Sequence, residues 1–274
     1  MNKKSNEFPA EWSLSRLSEI SKINGLTINP KKQYDEKYFS YIDIDSIENE
    51  TGKIKHTKKI DIANAPSRAR RVVKHNDVIM STVRPYLKAF AIVPKDNDNH
   101  ICSTGFTVLS PHKSIDSKYL LYILFSRYII NQCKKMMVGA QYPALNDSQV
   151  RKIKLPLPLL PEQKKIAEIL TTVDEAIEKV DGAIQKVERL KKGLMQTLLT
   201  RGIGHKEFKE TKIGMIPKDW ELVNLPEAFE IIDGDRGVNY PSLLELHEEG
   251  YCLFLNAKNV TNKGLKFIEN RFIN

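Results

Sequence analysis

Apolar residues recur every seven positions in the middle of the chain. Ile166, Val173, Val180, Val187 and Leu194 form one series, and Leu170, Ile177, Ile184, Lys191 and Leu198 form a second, offset by four. Two interleaved heptad series predict a long helix with a narrow apolar seam, as in a coiled coil. Glu168, Glu175, Glu178, Lys179, Lys186, Glu188, Arg189 and Lys192 supply its polar flanks. Lys191 is charged and on the seam, where it either fixes register or reaches past the edge to water. The helix is predicted to open at Pro161-Glu162. Proline suits a first helical position, and Glu162 faces the positive end of the helix dipole. No further proline occurs before Leu199, so the helix should run roughly 57 Å. The chain holds no second heptad segment of similar length. A partner helix must therefore come from another chain or from sequence beyond residue 274.

Ahead of the helix, residues 9–158 read as a mixed module of short strands. Tyr38–Asp43, Asp77–Ser81, Ala89–Val93 and Thr104–Leu109 are the predicted strands, separated by polar turns such as Pro94–Asn99. One amphipathic helix fits Lys118–Lys135, with Tyr119, Tyr122, Ile123, Phe125, Ile129 and Ile130 on its core face.

Behind the helix, Arg201–Thr211 reads as a polar linker, with Gly202 and Gly204 as helix terminators. Then the opening of the chain returns. Pro9-x-x-Trp12 followed by Leu17 is matched by Pro217-x-x-Trp220 followed by Leu225 at the same spacing. More weakly, Tyr38–Gly52 is matched by Tyr251–Gly264, each an apolar strand, a polar turn and a glycine. Both matches in the same order predict a duplicated module. Two copies joined by a rigid helix could engage two separated sites on a long ligand such as duplex DNA.

Charge points the same way. A formal net charge of +9 over 274 residues favours an anionic partner, nucleic acid or an acidic surface. Cys102, Cys133 and Cys252 fit neither a disulfide framework nor a metal site and read as reduced thiols. No stretch has the length and apolarity of a membrane span, so the expected location is the cytoplasm, with no membrane partner.

These features resemble the specificity subunits of type I restriction-modification enzymes. The likeness rests on Pro9-x-x-Trp12, the segments Asn76–Pro85 and Gly139–Leu145, the run Lys154–Ile166 that enters the helix, and the restart at Pro217. It implies an α+β fold, in which a mixed α/β target-recognition domain (residues 1–158) leads into a coiled-coil spacer helix (159–200). A linker (201–216) and the incomplete start of a second recognition domain (217–274) follow. It also implies that each recognition domain reads half of a split sequence in double-stranded DNA. Methyltransferase subunits would dock on paired spacer helices, and restriction subunits would join the complex. S-adenosylmethionine, ATP and Mg²⁺ would be used in those other subunits, with no cofactor in this chain. The chain departs from the family pattern by lacking most of the second recognition domain and the second spacer helix. It is therefore expected to be truncated, either restoring the arrangement as a homodimer through the helix or remaining an inert fragment.

Catalytic motifs are missing from the sequence. It has no phosphate-binding Gly-x-x-x-x-Gly-Lys-Ser/Thr loop, and Asn29-Pro30 is followed by Lys31 rather than the residues of an amino-methyltransferase motif. Asp147 with Glu162 and Lys164 loosely fits a nuclease spacing, although the helix dipole already accounts for Glu162. DNA contact is expected from loops instead. Arg68, Arg70 and Arg71, just before a strand start at Val72–Val73, are the phosphate candidates, or else a solvated charged turn. Arg84, Tyr86 and Lys88, with Gln141 and Tyr142, are the base-reading candidates, although Tyr142 before Pro143 could simply pack the turn.

Overall fold

The computed structural model describes residues 8–33, 37–139, 142–230, 240–262, 264–267 and 270–273. The chain forms two compact units, Met1–Glu188 and Arg189–Asn274. In the first, the strands are β1 (Ser13–Arg16), β2 (Ser21–Ile23), β3 (Tyr38–Ile42), β4 (Ile47–Glu48), β5 (Lys53–Ile54) and β6 (Lys58–Asp61). They continue with β7 (Ala69–Val72), β8 (Val78–Ser81), β9 (Phe90–Ile92), β10 (Ile101–Ser103), β11 (Phe106–Pro111) and β12 (Lys154–Leu157). The helices are α1 (Leu17–Ile20), α2 (Pro30–Gln33), α3 (Ser117–Phe125), α4 (Arg127–Met136), α5 (Asp147–Lys152) and α6 (Leu160–Arg201), the last of which continues into the second unit.

Two four-stranded sheets build the module, in the orders β6-β3-β10-β7 and β2-β11-β8-β9. All neighbours are antiparallel except β10 and β3, which run parallel with Ile101 opposite Tyr41. Strand β8 is buried on both faces, so it reads as a continuous apolar run rather than an alternation. Its Ile79 joins Ile42, Ala91, Val93, Cys102, Phe106 and Val108 in one core cluster. Val78 and Met80 point the other way and pack with Phe90, Leu109, Leu120, Leu124 and Ile129 beneath α3 and α4.

The structure redraws two sequence expectations. The strand expected over Thr104–Leu109 is β11, which starts later, at Phe106, and runs on to Pro111, because the chain turns at Thr104-Gly105 after β10 and passes from one sheet to the other. The single helix expected over Lys118–Lys135 is α3 and α4. Ser126 between them is extended (φ −63°, ψ 148°), and its hydroxyl accepts the Ile129 N–H at 3.3 Å. Serine is a favoured N-cap, and here it ends one helix and starts the next. The break buries Leu120, Leu121, Leu124 and Cys133 with Tyr119, Ile129 and Ile130, leaving Tyr122, Ile123 and Phe125 half-buried.

The long helix α6 has 42 residues, about 63 Å at 1.5 Å per residue. Its root is tied to the start of the module. β1 pairs with β12, and the Trp12 indole N–H donates to Glu162 at 3.3 Å, so the Pro-x-x-Trp and Pro-Glu-Gln segments meet. Gln163 is fully buried. It accepts the Asp116 N–H at 2.9 Å and donates to the carbonyls of Ser114 (3.0 Å) and Pro158 (2.9 Å). Ala167 is also buried. Further along, the Tyr122 hydroxyl donates to Asp174 at 2.6 Å, and Lys53 pairs with Glu178. Burial first, then the Asp174 carboxylate, pushes the Tyr122 phenol up to about 12, which keeps it a donor at any physiological pH.

In the second unit the helix ends at Gly202 (φ 62°), the left-handed position glycine fills most cheaply. Where a plain linker was expected, Phe208–Thr211 and Gly214–Pro217 form a hairpin closed at Gly214 (φ 108°). Trp220 packs edge-on against His205. The weaker sequence repeat is also a structural one. Strand Cys252–Phe254, a 3₁₀ turn capped by Asn256, and the ladder Val260–Thr261 with Gly264–Leu265 repeat β3, the 3₁₀ turn capped by Asp43, and β4–β5. Among the described residues, no helix is long and apolar enough to cross a membrane.

Candidate nucleic-acid interface

Backbone hydrogen bonds lace four loops together at one edge of the module. The Thr104 N–H donates to the Arg68 carbonyl at 2.8 Å, and the Thr82 N–H and hydroxyl both donate to Gly105, at 2.8 and 3.0 Å. The Leu145 N–H donates back to Thr82 at 2.9 Å, and the Arg84 N–H donates to Pro143 at 2.9 Å. The Arg68 turn, the Thr104-Gly105 turn, the Arg84–Lys88 loop and the Tyr142–Asn146 loop thus form one continuous surface. Two candidate sets that lie far apart in sequence meet on it.

Within this surface Arg84 and Lys88 both adopt left-handed backbone, φ 47° and 54°, flanking the 3₁₀ turn Pro85–Leu87. Non-glycine residues there cost about 1 kcal/mol or more, so surrounding structure must hold them. The Pro143 carbonyl, and the Lys88 N–H on Pro85 at 2.9 Å, do so. Tyr86 and Leu87 are exposed on the turn. The Arg84 guanidinium sits 4.9 Å from the centroid of the Tyr142 ring, a cation–π contact, and Tyr142 is 70% exposed. Lys88 is drawn aside to Glu50 at 3.2 Å. Gln141 lies outside the described residues.

The three arginines expected to act together have different surroundings. Strand β7 starts at Ala69, earlier than the sequence pattern indicated, so Arg70 and Arg71 alternate across it. Arg68 is exposed before the strand, and the Arg70 Nε donates to Ser67 at 2.9 Å. Arg71 is turned inward, 13% exposed, donating to the Phe106 carbonyl and pairing with Asp147 at 3.3 Å. Asp147 also accepts from Asn24 at 2.9 Å. This brace ties β7, β11 and α5 together under the loops. Sequence reading missed it because an Arg–Asp contact across 76 positions leaves no local pattern. Asp147 and Glu162 are therefore held by different partners. Among the described residues, no group of three or more His, Cys, Asp and Glu is placed to hold a metal ion.

The heptad seam carries a second surface. Leu170, Val173, Ile177, Val180, Ile184, Val187, Leu194 and Leu198 are each between 38% and 63% exposed, while Ile166 at the root packs partly on the core. Ile169 and Leu190 beside the seam are exposed too, and Lys191 lies in the open. The face bearing Ala167, Thr171, Asp174 and Glu178, about 100° around the helix, is the one applied to the module.

A strand-rich module with a laced loop edge, rooted on a heptad helix and followed by a second strand, capped turn and ladder of the same kind, defines an α+β architecture with an internal repeat. The chain belongs to the type I restriction modification DNA specificity domain family, which matches residues 9–189. The type I restriction enzyme MjaVIII specificity subunit of Methanocaldococcus jannaschii is 30% identical over 82% of this chain and 51% of its own length. Among solved structures, the HsdS subunit from Thermoanaerobacter tengcongensis is 32% identical with a TM-score of 0.59, covering 97% of this chain and 66% of that one. A second, from work on complex assembly and conformational transition of the type I R-M system, is also 32% identical, with a TM-score of 0.62 over 93% of this chain and 63% of that one. The chain thus spans between half and two thirds of these relatives.

Proposed function

We propose that this chain is the non-catalytic, DNA-reading and scaffolding component of a type I restriction-modification complex. It directs methyltransferase and restriction subunits to a target in double-stranded DNA, working in the cytoplasm. The loop edge carries this reading. On this reading Arg68, on the backbone-laced surface with Arg84, Tyr86 and Tyr142, meets phosphates and the other three meet bases, with Arg70 of the following strand a further phosphate contact. The exposed seam from Leu170 to Leu198 is the docking rail for the methyltransferase subunits and for a second spacer helix, supplied by another copy of the chain in a homodimer. The domain assignment follows: recognition over residues 1–158, spacer over 159–200, and a second recognition segment from 217.

Duplex binding measured against salt, with and without the methyltransferase, tests this. Affinity should fall steeply as salt rises. Arg84→Ala should weaken target binding by about 1–3 kcal/mol more than non-target binding. Equal losses would remove Arg84 from the base readers. No DNA binding even with the methyltransferase present would leave a coiled-coil adaptor.

A further inference from the structure

A second group of cations lies on the same module, away from the loop edge. The β1–β12 ladder sets Arg16 directly opposite Lys154. Alternation sends Leu155 into the core, so Arg16 and Lys154, both exposed, share the outer face. Gln132 of α4 brackets Lys154, accepting its N–H at 2.9 Å and donating to its carbonyl at 2.7 Å, and Lys135 lies one helical turn further on. The Ser18 hydroxyl donates to the Arg151 carbonyl at 3.1 Å, and Gln149 donates to the Met136 carbonyl at 2.6 Å. These contacts bring the last turn of α5, with Arg151 and Lys152, into the same neighbourhood.

All five cations are exposed, and none makes an ion pair among the described residues. The carboxylate set beside them, Glu19, accepts the Arg16 backbone N–H at 2.8 Å. Like charges directly opposite in a ladder repel, and the packing of the module has no need of them. No described carboxylate pairs with these side chains, which leaves them open to an anion from outside the chain. Lysine predominates here, and lysine is depleted at protein–protein interfaces but suits a phosphate backbone.

We propose that Arg16, Lys135, Arg151, Lys152 and Lys154 form a phosphate track for duplex DNA, leading from the reading loops to the root of the long helix. The proposal rests on the DNA-reading function above. The placement follows from chain order. Helix α5 begins at Asp147, in the brace under the loops, and ends at Lys152, and β12 then runs from Lys154 to within three residues of α6. The track contacts no base edges, so it adds affinity without sequence preference.

The test uses the full chain with Lys135, Lys152 and Lys154 all changed to Gln, bound to a duplex carrying the site mapped by methylation sequencing and to a scrambled duplex. Each lost phosphate contact lowers the slope of log K against log salt by about 0.9. The slope should therefore become shallower by about 2 to 3, equally for both duplexes, while the matching Lys→Arg variant keeps the parent slope and neither variant melts below the parent. An unchanged slope overturns the track, as does a loss confined to the target duplex. Lost co-purification of the methyltransferase with an unchanged slope also overturns it, assigning the patch to an acidic protein face. A parent chain without salt-dependent DNA binding would overturn both the track and the function on which it rests.

Discussion

Replacing Gln163 by Leu isolates what fixes the long helix to its module. The side chain is fully buried and makes three hydrogen bonds, one accepted from Asp116 and two donated to Ser114 and Pro158. Leucine is similar in size but leaves one N–H and two carbonyls without partners. At about 1 kcal/mol net per bond the loss is about 3 kcal/mol, a large fraction of the roughly 5–15 kcal/mol that holds a domain together. With a urea slope of about 3 kcal/mol/M, the unfolding midpoint should fall by about 1 M. Trp12, bonded to Glu162 at the helix root, is the natural fluorescence reporter once Trp220 is changed to Phe. Gln163→Glu should destabilise at least as much, because a carboxylate would face two carbonyl oxygens. Lys164→Ala, one residue on and exposed, should stay within about 0.5 kcal/mol. A Gln163→Leu protein within 1 kcal/mol of the parent would refute the view that this amide anchors the helix.

Ile177→Asp with Val180→Asp should leave folding almost unchanged, because both side chains are more than half exposed, yet abolish assembly with the methyltransferase as read by light scattering. Arg71→Ala should cost about 1.5–3 kcal/mol in chemical denaturation by breaking the charged brace, whereas Arg68→Ala should leave stability intact and reduce the salt slope of DNA binding by about 0.9. The Asp43 carboxyl is raised by burial, but hydrogen bonds from Lys58 and Ser46 outweigh this and hold it below its ordinary value. Its contribution is therefore complete above the unfolded pKa, about 4, and disappears as pH falls through the lower folded one. Melting temperature followed from pH 5 to pH 2 should drop more for the parent than for Asp43→Asn, and parallel curves would remove Asp43 from the acid transition.

The helix and its seam were legible in sequence because a heptad repeat survives over many turns and Pro161 marks its start. The face applied to the module was not. Thr171, Asp174 and Glu178 look like a solvated flank, and only the fold reveals that Tyr122 and Lys53 meet them. Likewise Ser126 breaks a helix without glycine or proline, because its hydroxyl serves the turn that follows rather than the one before. Among the arginines, Arg68 and Arg71 are alike in sequence, but three positions separate an exposed turn from an inward-facing strand position. The repeat announced itself in sequence through the tryptophans, rare residues at fixed spacing, and the weaker second match is a shared strand, capped turn and ladder.

Because one stretch of α6 is bonded to the module on one side and bears the open apolar stripe on the other, rotation about the helix axis is not a free variable for the first unit. A partner that slips along the stripe by seven residues advances about 10.5 Å, close to three base-pair steps, and still meets nearly the same side of the rod. A slip by one residue advances only about 1.5 Å but turns the module by about 100°. The helix therefore works as a ruler whose usable graduations are heptads. Insertions or deletions within it should be tolerated in whole heptads and penalised otherwise, and under the proposed function the length of this segment would be a coordinate of target geometry in its own right.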